Sequence, residues 1–235
     1  MENKTNKITA VIACKDRRLN SAYCLSSINA CTPTVPCILI DYGSTINMKE
    51  LENEYKWLRV VRVDVAPKFN KAKALNLGID AVKTEFTCLT DIDQIFQPNF
   101  FNILSNASNK NVFVKCKTYF AKKPPSFPPH QINNMKYHMY LNWVKKNPQR
   151  EPHGEGCCQC FSTDKLRQIG GHDERYDGWG YEDKDLELRA RALGLSIVWV
   201  DTLTSMIHLP HDRNKNYFNH ALIRKNKQLF ESKGI

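Results

Sequence analysis

Short, almost uninterrupted apolar runs alternate with longer stretches of mixed polarity over the first ninety residues. Ile8–Cys14 (ITAVIAC), Cys37–Asp41 (CILID), Leu58–Val65 (LRVVRVDV) and Phe86–Thr90 (FTCLT) have the length and β-branched content of strands. Ser21–Cys31 and Asn70–Val82 carry helical patterns between them. Strands that are apolar on both faces and alternate with helices imply a parallel sheet covered on both sides. The second half is less regular. Its pattern predicts a strand over Val112–Tyr119, helices over Ile132–Lys145, Glu182–Leu193 and Asn219–Phe230, and late strands at Ser196–Val200 and Thr204–His208. Four prolines exclude regular structure from Lys123–His130. No internal repeat or low-complexity stretch interrupts the order.

Polar residues then fall where such a sheet binds ligands, at the carboxyl ends of its strands. The first strand ends in Lys15-Asp16-Arg17-Arg18, the second in Asp41, the third in Asp64 and the fourth in Asp91-Ile92-Asp93. Aspartate is common where a strand enters a turn, so any one of these is weak evidence. Four together describe a polar crevice. Asp91 and Asp93 are two apart, so in an extended segment both carboxylates face one side. Two carboxylates brought together repel unless a cation lies between them, and oxygen ligands suit Mg²⁺ or Mn²⁺. Neither G-x-x-x-x-G-K-[ST] nor G-x-G-x-x-G occurs. A nucleotide diphosphate would therefore be neutralised by a divalent metal together with Lys and Arg.

A second group lies at Gly178-Trp179-Gly180-Tyr181-Glu182-Asp183-Lys184-Asp185. Acids in a first helical turn complement the helix dipole, and Asp185–Arg189 and Glu187–Arg191 are i,i+4 pairs, so the acids have an ordinary structural explanation. A Trp between two glycines has none. It makes a mobile loop carrying a flat apolar surface suited to sugar stacking, with carboxylates beside it that can act as a base toward a hydroxyl. His208 ends the last apolar strand and His211 follows three residues later, either of them a candidate metal ligand. Cys157, Cys158 and Cys160 fall in a strand pattern after Gly156 and read as buried or half-buried thiols.

Composition narrows this further. The 34 Lys+Arg against 24 Asp+Glu in 235 residues give a formal charge of +10, which calls for an anionic partner. Basic residues are spread along the chain without an evident stacking platform, which argues against nucleic acid. Lys, Arg and aromatics interleave in Tyr137–Arg150 and Tyr217–Phe230, which raises a peripheral contact with anionic lipid. The polar start and the odd number of cysteines, nine, read as free thiols in a reducing compartment. The expected location is cytoplasmic, with a peripheral position at the inner face of a membrane as an extension of it.

Four motifs, in order, resemble the GT-A glycosyltransferases, in particular the branch of β-1,4-galactosyltransferases, polypeptide GalNAc-transferases and chondroitin polymerases. Ala13-Cys14-Lys15-Asp16-Arg17 is similar to the "PFRNR" segment, and Phe69-Asn70-Lys71-Ala72-Lys73-Ala74-Leu75-Asn76-Leu77-Gly78 to "FNRAKLLNVG". Asp91-Ile92-Asp93 stands at the D-x-D position, and Gly170-Gly171-His172-Asp173-Glu174 through Trp179-Gly180-Tyr181-Glu182-Asp183 resembles "GGFDE…WGGED". The resemblance implies an α/β, Rossmann-like mixed sheet flanked by helices in a single compact catalytic domain. Residues 1–93 would form its nucleotide-sugar half, and 94–235 its acceptor and catalytic-loop half. It implies inverting transfer of a hexose or N-acetylhexosamine from a UDP-sugar to a glycan or lipid-linked hydroxyl. Lys15, Arg17, Asp41, Lys71, Lys73, Asp91 and Trp179 would meet the donor, and Mn²⁺ (or Mg²⁺) would be held by Asp91, Asp93 and His208, with His211 the alternative. Asp183 would be the base and Glu182 would hold a hydroxyl. Two positions depart from the pattern: Tyr181 replaces a family glycine, and Tyr42 follows Asp41 where a second Asp is common. A non-catalytic nucleotide-sugar-binding domain of the same fold is the alternative.

Overall fold

The computed structural model describes residues 6–64, 68–154, 156–211 and 220–234. The alternating pattern of the first half becomes β1 (Ile8–Cys14), α1 (Arg18–Asn29), β2 (Cys37–Asp41), α2 (Leu51–Glu54), β3 (Leu58–Arg62), α3 (Lys71–Ala81) and β4 (Phe86–Asp91). Then follow β5 (Gln94–Phe96), α4 (Phe100–Ala107), β6 (Val112–Lys115), β7 (Thr118–Phe120), α5 (Asn134–Lys146), β8 (Cys158–Ser162) and α6 (Thr163–Gln168). The chain ends with α7 (Glu182–Ala192), β9 (Ser196–Trp199), β10 (Met206–His208) and α8 (His220–Ser232).

Seven strands form one sheet in the order β3-β2-β1-β4-β8-β6-β9. The first four strands are parallel, whereas β8 runs antiparallel to both β4 and β6, so the sheet is mixed. Period-2 alternation splits β1 between two cores. Val11 and Ala13 join Ile40, Leu75, Ile79 and Leu186 on one face, while Ala10, Ile12 and Cys14 join Leu25, Ile28, Phe96 and Phe100 on the other. Gly78 lets α3 approach that sheet closely, because a Cβ there would collide with the side chain of Val11.

A smaller sheet, β5-β10-β7, caps the carboxyl end. It accounts for the main difference from the expected elements. Val112–Tyr119, predicted as one strand, is two: β6 stays in the large sheet, and after Cys116-Lys117 the chain turns into β7 of the small one. The segment 123–130 is irregular up to a short 3-10 turn at Pro129–Gln131, where the prolines are tolerated at a helical start. Val65 of the predicted third strand and Asn219 of the closing helix lie outside the described residues. All nine cysteines are buried and none forms a disulfide, and Cys158 and Cys160 lie in β8.

Candidate active site

Beyond the carboxyl ends of β1 and β4 lies a crevice of about 220 Å³. It is lined by Lys15, Arg17, Lys71, Asp91, Asp93, Trp179, His208 and His211, so eight of the residues singled out in the sequence converge there. Glu182 and Asp183 do not line it but lie against Lys71, which does.

At one end the small sheet brings His208 to Asp93. His208 is paired opposite Gln94 across β10 and β5, and the Leu209 amide donates to the Asp93 carbonyl at 2.8 Å. The Nε2 of His208 lies 3.3 Å from Asp93 Oδ1, and that of His211 lies 3.1 Å from Asp93 Oδ2. Both histidines therefore join Asp93, and their ligand atoms lie within 4.8 Å of one another. Asp91 lines the same crevice but is not in this group: β4 ends at Asp91, a turn covers residues 92–93, and the Asp91 carboxylate lies against Lys71 instead. Burial alone would raise the Asp93 carboxyl, but His208, His211 and Arg17 hold it down at about 2. Burial pushes His208 below its ordinary value against the pull of Asp93, which favours the neutral imidazole that metals bind. Among the described residues, the buried Asp93 Oδ1 has no hydrogen-bond donor, and the buried His208 Nδ1 has no partner. A buried carboxylate oxygen with no hydrogen-bond donor among the described residues, beside two imidazole nitrogens, fits a divalent cation.

At the other end a cation is enclosed by acids. Lys71, the first residue of α3, has its Nζ 3.0 Å from Asp183 Oδ2, 3.1 Å from Asp91 Oδ1 and 4.0 Å from Glu182 Oε1. Burial works against its charge, but the three acids hold its pKa well above the ordinary value. Burial raises Glu182 to about 8, with Asp183 adding repulsion and Lys71 opposing. Burial likewise raises Asp91 to about 6 against the pull of Lys71. Near neutral pH the group thus holds one ammonium against fewer than three full negative charges.

Asp183 is positioned by a residue the sequence reading passed over. Gly156 has φ +72°, and a Cβ there would fall under 3.0 Å from Asp183 Oδ2. Only glycine combines that backbone with that space. The Asp183 carbonyl also accepts from Gln159 Nε2 of β8 at 3.1 Å. Asp185 belongs to the scaffold: it is fully buried and pairs with Arg189 at 2.7 Å, Tyr176 and Lys233, while Glu187 pairs with Arg191 at 3.2 Å.

The loop before α7 carries Trp179, which is 49% exposed at the crevice mouth. A second unforeseen residue fixes it. Asn226 of α8 is buried; its Nδ2 donates to the carbonyls of Asp177 (2.9 Å) and Gly180 (3.1 Å), and its Oδ1 accepts from the Asp177 amide at 3.2 Å. Tyr181, at the family's glycine position, retains a left-handed backbone (φ +72°) and packs its ring against Phe230 of α8. Arg150 and Gln149, also unforeseen, line the crevice, with the Arg150 guanidinium 3.7 Å over the Phe120 ring. A bridge between Ala121 and Pro148 brings them there, which no local pattern announces.

Two residues expected to meet the donor lie elsewhere. Asp41 is fully buried, accepts from the Ser44 and Met48 amides and pairs with Arg62 at 2.6 Å, which ties β2 to the following loop and to β3. Lys73 is exposed on α3 and does not line the crevice. Lys15 does line it, with its Nζ donating to the Gly43 carbonyl at 2.6 Å.

A mixed sheet with its crevice at the β1/β4 carboxyl ends is the GT-A architecture of glycosyltransferases. Residues 9–170 match glycosyl transferase family 2, and the chain belongs to that family of glycosyltransferases. Residues 137–212 also match the family described as the N-terminal domain of galactosyltransferase. Solved structures share the fold at low identity. The catalytic domain of Drosophila β1,4-galactosyltransferase 7, in complex with xylobiose, has 16% identity and TM-score 0.60, covering 97% of this chain and 80% of that one. S. aureus TarS 1–349 in complex with UDP-GlcNAc has 11% identity and TM-score 0.69, over 97% and 66%. GalNAc-T7 with UDP, GalNAc and Mn²⁺ has 14% identity and TM-score 0.68, over 96% and 48%. The chain thus spans only part of each structure, about half of the last. No curated protein matches the chain in sequence. Among the described residues no helix is long and apolar enough to cross a membrane.

Proposed function

We propose that this protein is an inverting, metal-dependent glycosyltransferase that moves a hexose or N-acetylhexosamine from a UDP-sugar to a hydroxyl of a glycan or lipid-linked acceptor. The observation that carries this reading is one crevice with two unlike ends: Asp93 with His208 and His211 at one, and Lys71 against Asp183 at the other. The UDP and Mn²⁺ in the GalNAc-T7 structure and the UDP-GlcNAc in that of TarS support the choice of donor and metal.

Asp93, His208 and His211 would hold Mn²⁺ or Mg²⁺. When bound, the metal supplies Lewis-acid neutralisation of the diphosphate. Arg17, whose Nη2 lies 3.2 Å from His211 Nδ1, and Lys15 add positive charge to the crevice. Lys71 carries the coupling between the two ends. With no anion beside it, its ammonium is held between Asp91 and Asp183. A diphosphate entering the crevice competes for that ammonium, and Asp183 Oδ2 is then released to accept a proton. The acceptor oxygen attacks the anomeric carbon, its proton passes to Asp183, and the bond from that carbon to the phosphate oxygen breaks as the nucleoside diphosphate leaves. A single displacement inverts the anomeric centre. Trp179 offers its exposed face to the sugar, and Glu182 holds a hydroxyl. The donor half (1–93) supplies Lys15, Arg17, Lys71, Asp91 and Asp93, and the acceptor half (94–235) supplies Trp179, Glu182, Asp183 and both histidines, so the metal would be shared between them.

A panel of UDP- and GDP-sugars, with and without Mn²⁺, read as nucleotide released, tests this directly. Release from a UDP-sugar only with the metal is the expected result. Binding of UDP without release from any sugar would instead indicate a non-catalytic nucleotide-sugar domain.

A further inference from the structure

The net charge is concentrated in one stretch. Between Gln94 and Arg150 there are nine Lys and Arg and no Asp or Glu. The remainder of the chain holds 25 basic and 24 acidic residues, so nearly the whole +10 arises from these 57 positions. The basic residues are spaced along the sequence; it is the acids that are absent from this part of it.

The fold gathers most of this charge around α5. Tyr137, Tyr140, Leu141 and Val144 point inward at i, i+3, i+4 and i+7, which turns Met135, Met139, Asn142 and Lys146 outward. Met135 and Met139 are 63% and 54% exposed, one turn apart. Lysines flank them, each lying over an aromatic ring: Lys123 over Trp143 at 4.9 Å, Lys136 over Phe127 at 5.5 Å and Lys145 over Tyr119 at 5.0 Å. Among the described residues, Lys122, Lys123, Lys136, Lys145 and Lys146 form no salt bridge, whereas Lys115 and Lys117 of the same stretch pair with Glu187 and Asp201. Just past its last turn, α5 leads to Gln149 and Arg150 at the crevice.

We infer that the outward face of α5, with the 122–123 segment beside it, docks on an anionic lipid bilayer and sets the crevice mouth against that surface. Two neighbouring exposed methionines decide between a bilayer and a soluble polyanion. A polyanion would use the lysines alone, whereas an interfacial helix seats apolar side chains among the lipid chains and lays its lysines on the headgroups. The partner deepens the proposed function by placing a lipid-linked acceptor within reach, and it rests on that reading only for the acceptor.

Sedimentation with vesicles tests the surface without any transfer assay. The full chain should pellet with phosphatidylcholine vesicles containing about 30% phosphatidylglycerol, less as salt rises, and stay in solution with pure phosphatidylcholine. Lys145→Gln with Lys146→Gln should weaken partitioning by roughly fivefold per lysine. Met135→Ser with Met139→Ser should weaken it too, while leaving both thermal unfolding and binding to soluble polyphosphate unchanged. Absence of binding, equal binding to both vesicle types, or a methionine variant that binds like the wild type would overturn the inference, the last in favour of a soluble polyanion. A chain that pellets but releases no nucleotide would retain the surface and lose the transferase reading. One that releases nucleotide and stays in solution would do the reverse.

Discussion

The two ends of the crevice solve opposite electrostatic problems. At the Asp93 end a buried carboxylate faces two imidazoles, one of them pushed toward neutrality by burial, and among the described residues one of its oxygens accepts no hydrogen bond. At the Lys71 end the charge is already compensated, with one ammonium enclosed by Asp91, Asp183 and Glu182. An incomplete cluster recruits an external cation; a complete one must be opened by an external anion. A metal-bound diphosphate is both, which is why the pair of ends, more than either alone, points to transfer from a nucleotide sugar.

The largest effect should come from Asp183→Asn. Turnover should fall about a thousandfold or more, while UDP binding in Mn²⁺ stays near wild type; unchanged turnover would show that another group is the base. Gly156→Ala attacks the same end through the backbone. The new Cβ would displace Asp183 Oδ2, and the left-handed φ would cost a further ~1–2 kcal/mol. We expect kcat to drop about a hundredfold, as for a base misplaced by an ångström, with donor affinity retained and lower stability in urea unfolding. Loss of donor affinity to the same degree would mean that the two ends are not separable.

Asn226→Ala leaves both clusters intact and loosens the loop carrying Trp179. It removes bonds to the main chain of Asp177 and Gly180, for a destabilisation of about 1–3 kcal/mol. The donor KM should rise more than kcat falls, and an unchanged KM would separate Trp179 from donor binding. The smallest effect concerns pH. Glu182 has its carboxyl raised by burial to about 8, so the native state holds a proton there that the unfolded chain has lost. That contribution to stability is complete below the unfolded value, near 4.5, and disappears as pH rises through about 8. Glu182→Gln should therefore flatten the fall in stability between pH 5 and 8, measured by denaturant midpoints, and an unaltered slope would assign that fall to other groups.

These positions differ in how legible they were. β1 and β2 match the apolar runs residue for residue, because a strand buried on both faces writes a continuous signal. β5 and β10, three residues each, write almost none, yet their pairing brings His208 and Asp93 together. The D-x-D pair was legible as chemistry, and both carboxylates line the one crevice; their different partners within it were not legible. The turn at residues 92–93 gives Asp91 to Lys71 and Asp93 to the histidines. Asp41 ends its strand like the others and faces inward, since strand-end position does not determine which way a side chain turns. Gly156 and Asn226 had no local signature at all. Their roles exist only through Asp183 and the 177–180 loop, 27 and about 47 residues away in the chain.

The two-ended crevice is tested most directly by calorimetric titration of UDP into the wild-type protein, Asp93→Ala and Asp183→Asn, each with Mn²⁺ and with a chelator. Metal-dependent binding is expected in the wild type, the same binding in Asp183→Asn, and its loss in Asp93→Ala. Metal-dependent binding that survives in Asp93→Ala, or vanishes in Asp183→Asn, would contradict the two-ended crevice.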